Sequence, residues 1–192
     1  MPSTLKTPRL LLIPSHPRLA GAVTAYFARN RAFLRPFEPI QSEAFFTVPG
    51  QRRLLRQERR EMGAGLRYRF WTADKNAPGR VIGSVALSGV VRGSFQNAIV
   101  SYRSDAVMQN RGYTTEALTR LGEFAFREIG LHRLEAHIMP RNAPSLRVAE
   151  KLGFVHEGLG RAYLNINGAW EDHIHCALIN ADFHPAPLIG LT

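Results

Sequence analysis

The chain has 192 residues, 45% hydrophobic, 9% aromatic and 21% charged, which is material for one packed core and not the composition of a disordered chain. Lys plus Arg number 25 against 15 Asp plus Glu, a formal net charge of +10 that favours anionic partners. A single Cys176 excludes an internal disulfide and a multi-cysteine zinc cluster; the absence of a long apolar run excludes a transmembrane helix, and Met1-Pro2-Ser3-Thr4-Leu5-Lys6 lacks the pattern of a signal peptide, so a cytoplasmic protein is expected.

Arg9–Ile13 is a short apolar run closed by Pro14 and reads as a first strand. From Pro17 to Asn30, Leu19, Val23, Tyr26 and Phe27 recur at helical spacing; the two prolines of Phe33–Pro39 then break the pattern. A second helix, rich in Arg and Glu, is expected over about Gln51–Met62. Strands follow at Arg67–Ala73 and Arg80–Val91, separated by the turn Lys75-Asn76-Ala77-Pro78-Gly79. Gln96–Ser104 reads as a hairpin partner joined through Arg92-Gly93-Ser94. After Gly112 comes the longest helical pattern, with Leu118, Leu121, Ala125 and Ile129 on one stripe.

His132–Met139 alternates as a strand, Asn142–Leu152 is a short helix stopped by Gly153, and strands at about Phe154–Tyr163 and Ala169–Leu178 flank the hairpin turn Asn167-Gly168. No repeat or linker divides the chain. The expectation is one α/β (α+β) domain over 1–192, with a core at about 8–180 and a short tail at 181–192.

The segment Val107-Met108-Gln109-Asn110-Arg111-Gly112-Tyr113-Thr114-Thr115 sits between a strand and that longest helix. Gly112 permits a tight turn and close backbone approach. The first amides of a helix lack internal partners, and with the helix dipole and Arg111 they make an anion site suited to a diphosphate.

Gln109-x-x-Gly112-x-Thr114 resembles the coenzyme A loop of the GNAT N-acetyltransferase superfamily, with Thr114 standing where Gly or Ala is usual. Asn142-Ala143-Pro144-Ser145 followed by Leu152-Gly153-Phe154 is similar to the superfamily's second signature. Asn30–Pro39, Val90–Phe95 and Tyr163–His173 look like the RimJ-type branch, which acetylates the N-terminal alanine of a small-subunit ribosomal protein. The resemblance covers about residues 8–180. It implies a central mixed, mostly antiparallel sheet of about six to seven strands with about four helices, acetyl-coenzyme A (acetyl-CoA) as cosubstrate, no metal, and a ribosomal protein N-terminus as acceptor.

By that resemblance Val107 through Thr115, with Asn142 and Ser145, hold the coenzyme, and an N–H near Met108 polarises the thioester carbonyl. Ser145 is the candidate acid for the departing sulfur, although Ser or Asn near the start of a helix is also a common cap. Asp172 and Glu38 are the candidate bases; an α-amine, with a reference pKa of about 7.7–8.0, asks little of a base near neutral pH. Glu116 reads as a favourable charge in the first turn of its helix.

His173 and His175 share one face of a strand and with His137 suggest a metal site, but the carboxylate or cysteine pattern of one is lacking. Cys176 reads as core, with an acyl-cysteine route left open. The helix carrying Arg52, Arg53, Arg56, Arg59 and Arg60 reads either as a solvated basic stripe broken by an acid or as a surface that attracts RNA, the ribosome or an acidic partner. Two other functions fit the same residues: acetyl transfer to a small amine such as an antibiotic or polyamine, and a ribosome-associated factor with secondary acetyltransferase activity.

Overall fold

In the computed structural model, which describes residues 2–184, the chain opens with a tight antiparallel pair, β1 (Leu5–Lys6) and β2 (Leu10–Pro14). The Thr7 hydroxyl closes their turn by accepting the Leu10 N–H at 2.8 Å. Helices α1 (Ala20–Leu34) and α2 (Val48–Gly63) follow, then the antiparallel run β3 (Tyr68–Asp74), β4 (Val81–Val91) and β5 (Asn97–Ser104). Helix α3 (Tyr113–Glu123) leads through one π-helical turn at Phe124–Glu128 to β6 (Arg133–Ile138). Helix α4 (Ala143–Lys151) and the hairpin β7 (Val155–Ile166) and β8 (Ala169–Ile179) complete the described residues. All eight strands form one sheet in the order β1-β2-β3-β4-β5-β6-β8-β7.

The sheet is one strand larger than the upper expectation, because the two residues of β1 are too short to carry a periodicity. α1 runs past Asn30 to Leu34: Pro36 stops a helix only where its own N–H would be needed, and buried Leu34 still gains by staying on the helical face. α2 begins at Val48, ahead of the expected Gln51. The Thr47 hydroxyl caps the Gly50 N–H at 3.2 Å, and Pro49 lies in the first turn, where no N–H is required. Gly50 itself is compelled, since a Cβ there would lie 1.9 Å from the Ala44 carbonyl oxygen. Of the expected tail, residues 185–192 lie outside the described residues.

α3 and α4 cover one face of the sheet, with Ala117, Leu118 and Leu121 packed on Phe70, Val85 and Leu87, and Ala149 packed on Ala136, Ile138 and Cys176. α1 and α2 cover the other face over β3 and β4, where Val23, Tyr26, Phe27 and Leu55 surround Trp71. Truncating a buried aromatic such as Trp71 costs about 3–5 kcal/mol. Among the described residues no helix is long and apolar enough to cross a membrane.

The parallel strands β5 and β6 pair only at Asn97–Ile99 with Arg133–Glu135. Beyond that point β5 keeps β4 and β6 keeps β8, and the sheet splits between them.

Candidate active site

The split opens toward two loop-to-helix junctions. On one side the chain leaves β5 through a single 3-10 turn, Ala106–Met108, capped by Asp105. α1 holds this turn from the opposite face of the sheet: Arg29 pairs with Asp105 at 2.7 Å, Asn30 Oδ1 accepts the Ala106 N–H at 2.9 Å, and the Tyr26 hydroxyl donates to the Ser104 carbonyl at 3.2 Å. Asp105 also takes up the next two amides, that of Val107 on its carboxylate at 3.4 Å and that of Met108 on its carbonyl at 2.9 Å. The N–H of Met108 itself is therefore already bonded, and the free amide nearest to it is that of Gln109.

The amides after Met108 are different. From Gln109 to Thr115 none makes a backbone hydrogen bond among the described residues, and the first bond of α3 is Glu116 N–H to Gly112 O at 3.0 Å. Asn110 and Gly112 are left-handed, at φ 59° and 76°, and residues of this kind between right-handed ones turn successive amides into one concavity that binds anions. Arg111, exposed beside it, adds a full charge. A diphosphate fits this set of donors, and a narrow split beside it fits an extended arm.

Long-range contacts fix the loop. The Arg9 guanidinium donates to Glu116 at 2.6 Å and to the Arg111 carbonyl at 2.9 Å while lying 4.4 Å over the Tyr113 ring. Glu116 also accepts from the Thr7 hydroxyl at 2.5 Å and the Arg9 N–H at 2.9 Å. Partial burial pushes the Glu116 carboxyl up, but the bonds from Thr7 and Arg9 outweigh it and hold the group below its ordinary value. Read from sequence as a helix-end charge, Glu116 is the anchor of the loop. The Tyr113 side chain is taken by Asp74 at 2.9 Å, so only its amide faces the concavity. Thr114 lines a small crevice with Met108, Thr72 and Arg103.

Across the split stands the N-terminus of α4. Asn142 Oδ1 accepts the Ser145 N–H at 3.3 Å and is the cap of the helix. The half-buried Ser145 hydroxyl makes no hydrogen bond among the described residues, so the two readings of these residues separate: Asn142 caps and the Ser145 oxygen is free. Tyr102 reaches over from β5 and donates to the Ser145 carbonyl at 3.1 Å, and burial pushes its phenol up to about 12, which keeps it a donor.

Glu38 and Asp172 are not brought together. Glu38 is paired by both carboxylate oxygens with Arg103 on the α1 face of the sheet, where their side chains are 11% and 21% exposed. Asp172 lies on the opposite face with Ile174 and Cys176 and spends one oxygen on the Ala162 N–H at 2.8 Å, closing a bulge in β7. Its neighbour Glu171 shares the Glu38 face by strand alternation. It pairs with Arg141 at 2.8 Å, and Arg141 in turn donates to the Pro36 carbonyl at 3.0 Å. With the Asn167 N–H bonded to the Glu38 carbonyl at 2.9 Å, these contacts seat the 35–40 segment on the β7–β8 hairpin. Nothing local to Arg103 or Arg141 in the sequence marks them as its struts.

His137, His175 and Tyr163 cluster farther along the same face, with the two imidazole centroids 4.4 Å apart and Tyr163 4.5 Å from His175. Burial and then His175 hold His137 below its ordinary value. Among the described residues no three His, Cys, Asp or Glu are arranged to hold a metal ion. Cys176 is buried against Ala136 and Ala149, and burial pushes its thiol up, away from the thiolate an acyl-cysteine route needs.

A family model described as the acetyltransferase (GNAT) domain matches residues 9–155. The probable N-acetyltransferase YjcK of Bacillus subtilis is 40% identical over 157 residues, which cover 81% of this chain and 85% of that protein. The crystal structure of ribosomal-protein-S5-alanine acetyltransferase from Vibrio fischeri superposes with a TM-score of 0.90 at 36% identity, covering 95% of this chain and 99% of that one. Mycobacterium smegmatis RimJ, solved in complex with CoA-disulfide, superposes with a TM-score of 0.83 at 28% identity over 88% of this chain and 81% of its own.

Proposed function

Since the chain belongs to the GNAT acetyltransferase family and is an acetyl-CoA-dependent N-acetyltransferase, we propose that it acetylates the N-terminal α-amine of a ribosomal protein that begins with Ala, acting in the cytoplasm as a single catalytic domain. The observation that carries the reading is the pairing of the free-amide run at Gln109–Thr115 with the Ser145 hydroxyl across the split of the sheet. The acceptor is argued from likeness to the Vibrio fischeri S5-alanine enzyme over nearly the whole of both chains.

Acetyl-CoA supplies a thioester whose carbonyl carbon is open to an amine. In this reading the amides of Gln109–Thr115, with Arg111, hold the diphosphate, and Val107 and Met108 border the arm of the coenzyme beside the split, with Asn142 across it. As the C–S bond breaks Ser145 gives a proton to the sulfur, and the proton that the attacking nitrogen sheds on becoming an amide restores the Ser145 hydroxyl. Tyr102 is a positioning residue, since its bond to the Ser145 carbonyl fixes the helix that carries the hydroxyl. Attack requires the amine to be neutral; its reference pKa of about 7.7–8.0 leaves a sizeable neutral fraction near pH 7.5. Glu38 and Glu171 offer carboxylate oxygens that accept hydrogen bonds from the amine, while Arg103 and Arg141 hold both carboxylates in place. Asp172, on the other face, supports the bulge in β7.

The test is a panel of peptides with different first residues set beside aminoglycosides and polyamines, with coenzyme A release as the readout. Acetylation of Ala- and Ser-initiated peptides above those beginning with large residues is expected. Turnover of the small amines with none of the peptides would replace this acceptor with a small molecule, and no turnover of either would favour a ribosome-associated factor.

A further inference from the structure

The acids of the arginine-rich α2 do not lie among its arginines. Glu58 turns inward, 3.0 Å from Arg69, and accepts the Ser15 hydroxyl at 2.7 Å. Glu61 pairs with Arg67 at 3.3 Å. Both carboxylates are thus spent on β3 and its approaches, beside the buried Gln51, Leu55 and Met62. Arg52, Arg53, Arg56, Arg59 and Arg60 are all exposed, and none enters an ion pair among the described residues.

At 3.6 residues per turn these five occupy one continuous arc of about 120°, and they run about 12 Å along the axis. The arc passes from Arg59 through Arg52, Arg56 and Arg60 to Arg53 and contains no acid. Arg18 extends it, since Arg18 and Arg59 both bear on His16, which burial and these two cations hold below its ordinary value. Elsewhere arginines are largely neutralised: Arg9, Arg29, Arg103, Arg133 and Arg141 each hold a carboxylate. The stripe that sequence shows as broken by an acid is, in three dimensions, unbroken.

We infer that this arc of α2 is a docking surface for the phosphate backbone of structured RNA. Every cation on it is a guanidinium, which meets phosphate oxygens with two parallel N–H bonds where an ammonium offers a point charge. The arc carries no apolar side chain, whereas a specific protein interface is built around an apolar core, so an acidic protein is the poorer fit. A helix edged with arginines suits the phosphate-lined grooves of A-form RNA, which is recognised by shape and backbone. α2 packs over β3 and β4, and its five guanidinia lie on the solvent side, so RNA held there need not enter the split between β5 and β6. The inference goes beyond the acceptor assignment and does not rest on it.

The experiment measures anisotropy of a labelled RNA hairpin of about 16 base pairs with the full chain across a salt series. Five phosphate contacts predict a slope of log K against log salt of about −3.5 to −4.5, a loss of roughly 10²-fold between about 50 and 200 mM. Arg56→Gln with Arg60→Gln should lower the slope by about 2 and the affinity about tenfold or more, with peptide acetylation unchanged. Gln is a good helix former, so α2 should persist. Arg127→Gln with Lys6→Gln removes the same charge away from the arc and should leave both values in place. The inference is overturned if the two pairs weaken binding equally, if poly-glutamate of matched charge competes as well as RNA, or if the unaltered protein fails to bind RNA at low salt.

Discussion

The Tyr102 hydroxyl donates a 3.1 Å hydrogen bond to the carbonyl of Ser145, from the strand on one side of the split to the helix on the other. It ties together two segments that the sheet itself leaves unpaired. Tyr102→Phe keeps the ring and removes the tie, so a loss of about 1 kcal/mol is expected. Turnover should fall with it while acetyl-CoA affinity holds. Thermal melts with kinetics in parallel would check this; an unchanged turnover would show that α4 is positioned without Tyr102.

Ser145→Ala should lower kcat by about 10² and leave both stability and acetyl-CoA affinity close to the parent, because the cap of α4 is Asn142. Asn142→Ala, by contrast, should cost about 1 kcal/mol in a denaturant melt. A Ser145→Ala protein with full turnover would remove it as the sulfur's proton donor.

Gly112 sits at φ 76°, and a Cβ there would lie 3.4 Å from the Arg9 guanidinium. Gly112→Val forces a β-branched residue into the left-handed region at a cost of about 1–3 kcal/mol and disturbs the amides that follow. Calorimetry should find acetyl-CoA binding weakened at least tenfold in protein that is still folded. Affinity equal to the parent would show that the run from Gln109 to Thr115 does not hold the coenzyme.

Breaking the Glu38–Arg103 pair should act on both fold and acceptor. Glu38→Gln leaves Arg103 only 21% exposed and short of its partner, a change expected to cost about 2–3 kcal/mol after allowance for that exposure. The peptide KM should rise by more than kcat falls, since acceptor binding is the property weakened. A pure loss of kcat would instead assign Glu38 to proton transfer.

The folded protein holds His137 neutral to lower pH than the unfolded chain does, with His16 adding the same sign. Below the ordinary imidazole value of about 6.5 the unfolded chain therefore binds more protons, and stability falls as pH drops through that window. Glu116, Glu135 and Glu157 are held low, so their loss begins only below about 4.5. Melting temperatures should decline from pH 7 to 5.5, and His137→Gln should flatten the decline. An equally steep decline in the variant would place the effect elsewhere.

What was legible in the sequence is what adjacent residues decide. Gly112 before α3, Asn142 before α4 and Asn167-Gly168 between β7 and β8 each carry their reason within a few positions. Glu116 does not: its partners Thr7 and Arg9 stand 109 and 107 residues away, and from its own neighbours it is an ordinary first-turn acid. Strand alternation separates Glu171 from Asp172, but which of them shares a face with Glu38 depends on how β8 registers on β6. The bond that takes up the Met108 amide was not legible either, because it goes to the Asp105 carbonyl within a single 3-10 turn that carries no periodicity.

The early end of the β5–β6 pairing at Ile99 and Glu135 leaves a row of backbone groups facing a gap in the middle of the sheet, where neighbouring strands would otherwise satisfy each other. An edge of this kind accepts an added extended chain. The protein is in that sense a sheet lacking one rung, and a guest with amides along its length completes the ladder. If the cosubstrate is that guest, as proposed, its loading joins the β1–β5 half to the β6–β8 half, and amides on both sides of the gap should exchange more slowly in its presence. By mass action the whole domain should melt higher, by an amount that grows with the logarithm of ligand concentration.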